Sequence, residues 1–496
     1  MNAWLPLLVL SSSLLPGLII FFLAEERTAT RVTLNMAGAL IKLVLVAVMV
    51  WGVYHGQQYE ARLPLLPGLA LALQADALAL LFVVLSSLLW LVTTVYAIGY
   101  LENSPHRSRF FGFFSLCVTA TVGVALSDNL ITFLLFYELL TLSTYPLIVH
   151  RGTEVARRAA RVYLIYTLVG GALLLLATVW LYTLAGTLDF APLGFLSALD
   201  ERHHGALTII FVLLIAGLGV KAAIIPLHGW LPKAMVAPAP VSALLHAVAV
   251  VKAGAFGIVR VVHDVYGVAF ADRLGVLTPL AVLASLTIIY GSVRALYQDD
   301  LKRRLAYSTV SQVSYIALGT AIAGPIATVG GIVHLVHQGL MKITLFFCAG
   351  NLAETLGIHK ISEMNGVGRR MPWTMAAFTL GAFGMIGVPP MAGFISKWYL
   401  GMGALETGQG WVVLVLMGST VLNAAYFLPI LHVAWFKPPS DDEAQTRQIG
   451  RKEAAWALLL PTLVTALLAL AAGLLANATF SPLHWAIFIT SLEFLP

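Results

Sequence analysis

The sequence predicts an all-α polytopic membrane protein with about fourteen transmembrane helices. The chain has 496 residues, of which 59% are hydrophobic and only 10% charged, whereas soluble proteins carry about 25% charged residues. Apolar runs recur along almost the whole chain, and each has the roughly 20 residues that a helix needs to cross a bilayer. These two observations exclude a soluble fold. They also explain why the size does not indicate several soluble domains.

The predicted spans follow one another with short polar connections. The first apolar run has no basic residue before it and is too long for the apolar part of a signal peptide, so we expect a retained helix. The tail from Ser481 to Pro496 is mildly amphipathic and too short for a further span. The spans, numbered 1 to 14, cover residues 3–23, 32–54, 76–100, 109–126, 130–149, 161–186, 207–235, 240–264, 275–296, 304–323, 328–351, 373–407, 411–436 and 454–475.

Basic residues predict the orientation, because loops on the cytoplasmic side are rich in lysine and arginine. Most of the 29 lysines and arginines fall in alternate loops on one side, while the other side receives only Arg62, Arg202 and Arg273. This asymmetry predicts both termini outside, in a plasma (inner) membrane. It also accounts for the net charge of +6, so no nucleic-acid partner is expected. The basic side includes Arg157, Arg158, Arg161, Lys302, Arg303, Arg304, Arg447, Arg451 and Lys452.

Five charged residues lie near the predicted middle of the membrane: Glu138, Lys221, Lys252, Lys342 and Lys397. A charge at the bilayer centre costs roughly 2.5–3.5 kcal/mol, so these groups must face protein or water, pair, or become neutral. A purely architectural ion pair could account for Glu138 and one lysine, but not for the other lysines. Buried groups of this kind can exchange protons near neutral pH, which predicts a role in proton movement.

Three more basic residues fall within or beside the spans. We expect Lys233 and Arg260, near helix ends, to extend towards the interface. Lys42 is deeper in span 2, and its long stem is expected to reach an interface or neighbouring lipid.

Histidines add to the charged residues of the middle. Span 11 carries His334, His337, Gln338 and Lys342 broadly on one side of a helix, and histidine titrates near physiological pH. We therefore interpret His334 and His337 as proton relays, and His246 in span 8 as either a relay or a packing residue. No carboxylate or cysteine accompanies these histidines, which disfavours metal binding.

No other chemistry is indicated by the sequence. Both cysteines, Cys117 and Cys348, lie in apolar spans with no metal-ligand spacing and no expected disulfide. No phosphate-binding loop, dinucleotide fingerprint or haem motif is present. We expect no cofactor, and no catalytic chemistry in the isolated chain.

Two spans are interrupted by proline and glycine close to a lysine. Span 7 is broken at Pro226 after Lys221, and span 12 at Gly387-Val388-Pro389-Pro390 before Lys397. A single kink could be simple bending, but two matched breaks five spans apart predict inverted five-helix repeats, spans 4–8 and 9–13, as in many transporters. The predicted parts are therefore residues 1–108 (spans 1–3), 109–264 (first repeat), 275–436 (second repeat) and 437–496 (span 14 and tail).

At these residues the chain resembles the antiporter-like subunits shared by respiratory complex I, membrane-bound hydrogenases and Mrp-type cation/proton antiporters. The resemblance covers spans 4 to 13. The motifs that carry it are Phe136-Tyr137-Glu138-Leu139, Lys221 to Pro232, Pro240-Val241-Ser242-Ala243-Leu244-Leu245-His246, Leu301-Lys302-Arg303, Ala306-Tyr307-Ser308-Thr309 and Gly387-Val388-Pro389-Pro390 through Gly393-Phe394 to Lys397.

The resemblance implies that Glu138 pairs with Lys221, and that Lys252, the His/Lys group of span 11 and Lys397 continue a polar line halfway across the membrane. We call Glu138, Lys221, Lys252, His334, His337, Lys342 and Lys397 the predicted axis. The last member of the predicted axis is Lys397. A lysine at this position makes the chain resemble the D-type subunit of Mrp antiporters, because the complex I subunit of similar length typically has glutamate there. His246 instead resembles complex I and hydrogenase subunits.

These residues predict a proton-translocating subunit that works with other membrane subunits. In this hypothesis a neighbouring charge draws Glu138 away, and Lys221 then passes its proton along the predicted axis to Lys397. A hard cation such as sodium prefers oxygen ligands, so any sodium site is expected on a partner subunit or an interface.

Three assignments stay open at this point: an Mrp-type antiporter subunit, a pumping subunit of a complex I-like or hydrogenase-like redox enzyme, and an energy-coupling subunit of an inorganic-carbon uptake system. The co-purifying partners would distinguish them: small hydrophobic subunits, iron–sulfur subunits, or a zinc-containing soluble protein.

Overall fold

The computed structural model describes residues 3–66, 68–101, 104–199, 201–438 and 452–494, and it is almost entirely helical. Side chains cap several helix starts: Asp76, Asn129, Thr153 and Asp300 each accept a hydrogen bond from a backbone N–H in the first turn, which satisfies a donor that the helix leaves free. The helices that precede the first break are α1 (Leu5–Phe21), α2 (Thr28–Tyr54), α3 (Ala77–Tyr100), α4 (Arg107–Leu126), α5 (Leu130–Val149), α6 (Glu154–Ala185) and α7 (His204–Ala222).

The second part of the chain alternates long helices with short ones at breaks and loops. Short 3₁₀ turns cover Glu201–His203, Ala234–Val236 and Ile361–Glu363, and a π-helical turn covers Val261–Tyr266. The helices are α8 (Trp230–Lys233), α9 (Ala239–Ala247), α10 (Val250–Arg260), α11 (Val268–Arg273), α12 (Leu277–Leu296), α13 (Leu301–Ala321), α14 (Pro325–Leu356), α15 (Val367–Arg370), α16 (Pro372–Ile386), α17 (Ala392–Glu406), α18 (Trp411–Phe436), α19 (Trp456–Leu474) and α20 (Pro482–Phe494).

Eleven helical segments in the described part of the chain are long and apolar enough to cross a membrane, and α1 and α16 are shorter apolar helices. The chain is therefore a polytopic membrane protein. The count of fourteen spans, the inverted repeats and the boundaries of the four predicted parts stay predictions. The tail forms the 13-residue helix α20, which packs on α3 and α14.

The expectation of a purely helical chain is wrong between spans 2 and 3. A two-stranded antiparallel hairpin, β1 (Glu60–Leu66) and β2 (Leu69–Gln74), pairs Glu60 with Gln74 and Leu63 with Leu71. Leucine and alanine do not favour strands over helices, so the local sequence gives little indication of the hairpin. The hairpin packs on α4 and α5 through β2.

Both predicted helix breaks are present. In span 7, α7 ends at Ala222 and the chain resumes as α8 at Trp230. In span 12, α16 ends at Ile386, Gly387 takes a left-handed conformation with φ of 88°, and α17 starts at Ala392.

A third break was not predicted. It divides span 8 between α9 and α10 at Val248 and Ala249, directly before Lys252, and both amides turn back to the carbonyl of Leu244. No proline or glycine marks this break.

Loops predicted to lie on the same side of the membrane contact one another. On the sparsely basic side, Arg62 binds Asp128 and Asp189 at 2.8 and 2.9 Å. On the basic side, Glu25 accepts hydrogen bonds from the amides of Arg107 and Ser108. The contacts fit the predicted alternation of loops, and the orientation itself stays a prediction. The basic-side residues Arg447 and Arg451 lie outside the described residues.

Candidate functional site

Lys221 lies in the last turn of α7, at the first break, and is fully buried. Its ammonium group donates to the carbonyl oxygen of Tyr137 and lies 3.3 Å from the centre of the Tyr137 ring. The Tyr137 hydroxyl in turn donates to the carbonyl oxygen of Gly217 at 3.0 Å. The first break is therefore tied to α5 by a lysine and a tyrosine.

Glu138 does not form the direct ion pair that the family resemblance implies. Within the described residues no contact of 4.0 Å or less joins its carboxylate to Lys221, although the two charges interact electrostatically. The Glu138 side chain instead points at Gly171 of α6, and its Oε1 has no hydrogen-bond partner in that part of the chain.

Lys397 holds the second break together. Its ammonium group donates to the carbonyl oxygens of Ile386 at 2.6 Å and Met385 at 3.3 Å, and to the Thr420 hydroxyl at 3.2 Å. These carbonyls have no helical partner because α16 ends there. The side chain of Asn423 also donates to the carbonyl of Met385, at 3.1 Å.

A continuous set of hydrogen bonds connects Lys342 with Lys397. The Lys342 ammonium donates to the Ser308 hydroxyl at 2.7 Å, and Ser308 contacts the Tyr426 hydroxyl at 2.8 Å. Tyr426 donates to Oδ1 of Asn423 at 2.6 Å, and Asn423 and Lys397 share the carbonyl of Met385. We call Lys342, Ser308, Tyr426, Asn423 and Lys397 the bridging chain. It joins α14, α13, α18 and α17.

The middle of the bridging chain was not predicted from the sequence. Tyr426 and Asn423 were not singled out, and Ser308 entered only as part of a motif. A buried asparagine and tyrosine three residues apart share one face of a helix. That spacing in an otherwise apolar span was the available signal.

Lys252 lies at the centre of the predicted axis and is fully buried, as are His246 and Gln338. Neither the Lys252 ammonium, nor the His246 ring nitrogens, nor the Gln338 amide has a hydrogen-bond partner among the described residues. Buried polar groups normally find partners, often ordered water. Lys252, His246 and Gln338 are therefore buried polar groups of the kind that ordered water normally satisfies.

The structure brings Lys252 close to the histidines of α14. Its charge acts electrostatically on His334, His337 and Lys342. His334 connects to the second break through a 2.8 Å hydrogen bond between its Nδ1 and the hydroxyl of Ser396, the residue before Lys397. His246 stacks on the Phe346 ring at 4.5 Å, a contact that fits packing.

Gly254 explains how α10 places Lys252 beside the first break. A Cβ atom at Gly254 would overlap the backbone of Lys221 and Ala222. The two helices therefore cross at backbone contact, at Lys221 on α7 and two residues after Lys252 on α10.

Two other expectations about basic residues are wrong. Lys42 does not reach lipid or an interface, because it is fully buried and donates to the Ser13 hydroxyl at 2.6 Å. Arg260 does not extend outwards either, because it is 3% exposed and binds Asp76 and Asp264 at 2.6 and 2.8 Å. The Lys42 ammonium therefore has a hydroxyl partner inside the bundle, and the Arg260 guanidinium has two carboxylate partners.

Asp128 lies in the short loop between α4 and α5 and is 6% exposed. Burial raises its pKa to about 6, and Arg62 opposes this rise. The described residues contain no group of three or more histidine, cysteine, aspartate or glutamate side chains arranged to hold a metal ion.

Comparison with known proteins identifies the family. A family profile described as "NADH:quinone oxidoreductase/Mrp antiporter, TM" matches residues 127–423. NADH-quinone oxidoreductase subunit N of Desulforudis audaxviator is 36% identical over 379 residues, covering 75% of this chain and 74% of that protein. The D-type subunit of the Na(+)/H(+) antiporter of Bacillus subtilis is 28% identical over 478 residues, covering 95% and 93%.

A solved structure has the same fold. A chain of the Mrp complex from Dietzia sp. superposes with a TM-score of 0.85 at 24% sequence identity, covering 99% of this chain and 98% of that one. The chain therefore belongs to the family of antiporter-like membrane subunits found in NADH:quinone oxidoreductases and Mrp antiporters.

Proposed function

We propose that this chain is a proton-translocating membrane subunit of a multisubunit complex in a plasma membrane. In this proposal Glu138, Lys221, Lys252 and Lys397 bind and release the proton, and His334, His337 and Lys342 relay it. The observation that carries the proposal is the bridging chain, which links two intramembrane lysines through side-chain hydrogen bonds and the shared backbone carbonyl of Met385. Lysines in an apolar core have no simple packing role, since each costs free energy there.

Partner subunits are supported by the position of Glu138. Its neighbours on the same face of α5, Leu135 and Leu142, are 48% and 58% exposed, so the partly buried carboxylate lies at the edge of the chain. A carboxylate facing lipid would be costly, whereas an adjoining subunit could cover it. A charge on that subunit could then change the interaction between Glu138 and Lys221.

The finer assignment that we favour is the D-type subunit of an Mrp antiporter that exchanges sodium or another monovalent cation for protons. Two observations support it: the similarity to a D-type antiporter subunit extends over 95% of this chain, and Lys397 occupies the second break. With a single carboxylate and several lysines on the predicted axis, this part of the chain suits protons better than a hard cation.

A complex I-like subunit is the second candidate. The specific observation in its favour is the 36% identity to an NADH-quinone oxidoreductase subunit N, supported by the presence of His246. In that case the redox centres would belong to partner subunits.

The test uses everted vesicles that contain the whole complex. We expect Glu138→Ala, Lys221→Ala and Lys397→Ala to abolish cation-driven or redox-driven pH changes while the complex still assembles. Lys233→Ala is the matched control, because Lys233 is an exposed lysine beside the first break. Normal transport by all three assembled variants would refute the proposal.

The driving reaction separates the two candidates. A pH change on addition of sodium, with no requirement for a reductant, indicates the antiporter. A pH change that needs NADH or another reductant, with iron–sulfur subunits in the purified complex, indicates the redox enzyme.

A further inference from the structure

Lys42 is an intramembrane lysine that the predicted axis does not use. It lies near the middle of α2, is fully buried, and contacts the Ser13 hydroxyl of α1 at 2.6 Å. Its ammonium group also lies 5.0 Å from the ring of Trp90 on α3. Among the described residues no carboxylate comes within 4.0 Å of it.

Polar side chains continue from Lys42 towards the basic side of the protein. Ser13 contacts the Thr119 hydroxyl of α4 at 2.8 Å. One turn earlier on α4, the Ser115 hydroxyl donates to Oδ1 of Asn35 on α2 at 3.3 Å. One turn earlier again on α2, Arg31 donates to the Ser108 hydroxyl at 2.8 Å. We call Lys42, Ser13, Thr119, Ser115, Asn35, Arg31 and Ser108 the N-terminal column.

The N-terminal column spans half of a membrane. Every member is 4% exposed or less. From Arg31 to Lys42 the α2 axis advances about 16 Å at 1.5 Å per residue, against a hydrocarbon core of about 30 Å. The end of the N-terminal column on the basic side reaches Glu25. The side chain of Glu25 is 41% exposed and accepts hydrogen bonds from the amides of Arg107 and Ser108.

Packing alone does not require this arrangement. Helices α1, α2 and α4 could pack through apolar or small residues, and a buried lysine without a carboxylate partner is costly in a membrane. The polar groups are also not scattered: they follow one line on three helices and end at a solvent-facing carboxylate. A line of this kind has the features of a route for protons.

We propose that Lys42 is a second proton-binding site, which exchanges protons with the basic side through the N-terminal column. A proton reaches the neutral amine by a concerted shift, in which the Ser13 hydroxyl gives its proton to Lys42 as it receives one from Thr119. Thr119 in turn receives a proton through water that leads past Ser115 to the solution on the basic side, so each hydroxyl gives one proton and gains one. This proposal rests on the proposed function, because it adds a proton site to a proton-translocating subunit.

Arg31 has a different role in this proposal. A guanidinium does not release its proton at neutral pH, and a fixed positive charge opposes the passage of protons. Arg31 is held by Ser108, by the Thr28 hydroxyl at 3.3 Å and by the carbonyl of Glu25 at 3.2 Å. Arg31 blocks the basic-side end of the N-terminal column in this structure. Movement of Arg31 towards the Glu25 carboxylate would open that end.

Three substitutions separate proton binding from structural roles. Lys42→Met keeps the length of the stem and removes the amine. Lys42→Arg keeps the positive charge but does not exchange protons. Ser13→Ala removes the acceptor of Lys42, with Ser12→Ala as the matched control, because the Ser12 hydroxyl bonds only the Val9 carbonyl of its own helix among the described residues.

The assay is the initial rate of proton transport by the assembled complex in everted vesicles, with the subunit quantified by immunoblot. We expect at least a tenfold loss of rate for both Lys42 variants, a severalfold loss for Ser13→Ala and no change for Ser12→Ala. A wild-type rate in Lys42→Met overturns the proposal in favour of packing. A wild-type rate in Lys42→Arg overturns it in favour of a fixed charge.

Two measurements keep the outcome decisive. If the Lys42 variants do not assemble, Ser13→Ala and Thr119→Val test the proposal instead, since each removes only one hydroxyl. Wild-type transport rates in both of these variants would refute the N-terminal column as a proton route. Lys397→Ala is measured in parallel. Loss of transport there with normal Lys42 variants refutes only the second site, whereas normal transport in Lys397→Ala counts against the proposed function itself.

Discussion

Tyr426 gives the sharpest test of the bridging chain, because one hydroxyl joins its two halves. The substitution Tyr426→Phe removes the donor to Asn423 Oδ1 at 2.6 Å and the contact with Ser308 at 2.8 Å. The ring stays, so α18 keeps its packing. Ser308 keeps the Lys342 ammonium as a partner, whereas the fully buried Asn423 oxygen loses its donor.

The expected size of the effect follows from the hydrogen bond that is lost. A buried acceptor that loses its donor costs about 1–3 kcal/mol. If proton transfer between Lys342 and Lys397 loses that much, its rate falls roughly fivefold to 150-fold, because each 1.36 kcal/mol is about tenfold. The assay is the transport rate of the assembled complex in everted vesicles.

Tyr266→Phe is the control for this experiment. Tyr266 is also fully buried, and its hydroxyl donates one hydrogen bond, to the Leu207 carbonyl at 2.7 Å, away from the bridging chain. We expect both variants to lose similar thermal stability and only Tyr426→Phe to lose transport. Transport by Tyr426→Phe at the wild-type rate, with Lys397→Ala inactive, would show that protons reach Lys397 by another route.

Other positions test the packing and the electrostatics of the fold. Gly254→Ala should destabilise the protein by about 1–3 kcal/mol through overpacking against α7, and Gly205→Ala, with open space around its Cβ position, should not; thermal unfolding of the two variants checks this. Arg260→Leu should cost about 3–5 kcal/mol because it strands the buried Asp264 carboxylate, while the exposed Arg273→Leu should be neutral in the same measurement. Asp128 has a folded pKa of about 6, above its ordinary value, so the folded state holds its proton more tightly and stability should fall as pH rises from about 4 to 6. Asp128→Asn should flatten this dependence, and an unchanged pH profile would assign the slope to other groups.

The sequence was sufficient for the helices and for two of the three breaks. Apolar runs set most helix ends to within a few residues, although α6 begins at Glu154, seven residues before the predicted start at 161. Pro226 and Pro389 remove backbone donors in ways that a helix cannot accommodate. The break at Val248 and Ala249 carries no such residue. It forms where α9 packs against α14 at Gly339, whose Cβ position lies 2.9 Å from the carbonyl of Ala247. A tertiary contact of this kind has no local signal.

The polar residues were predictable as a set but not as a network. A charge in an apolar span can be recognised from the sequence, so Lys221, Lys252 and Lys397 could be named. Their partners depend on which helices pack together. The Tyr137 carbonyl beside Lys221 and the Tyr426 hydroxyl between two lysines are therefore properties of the tertiary structure.

Helix α4 lies between Lys42 and the first break and contacts the surroundings of both. Thr119 on one face contacts Ser13, the partner of Lys42. Cys117, two residues earlier and hence on the opposite side of the helix, contacts Thr144 of α5 at 3.5 Å. Helix α5 also carries the Tyr137 carbonyl that binds Lys221. A shift of α4 would therefore alter the surroundings of both lysines at once. If both proposals hold, the double variant Ser13→Ala with Glu138→Asp, in which each single change leaves measurable transport, should depart from additivity. Strict additivity of the two losses in transport free energy would show that the sites work independently.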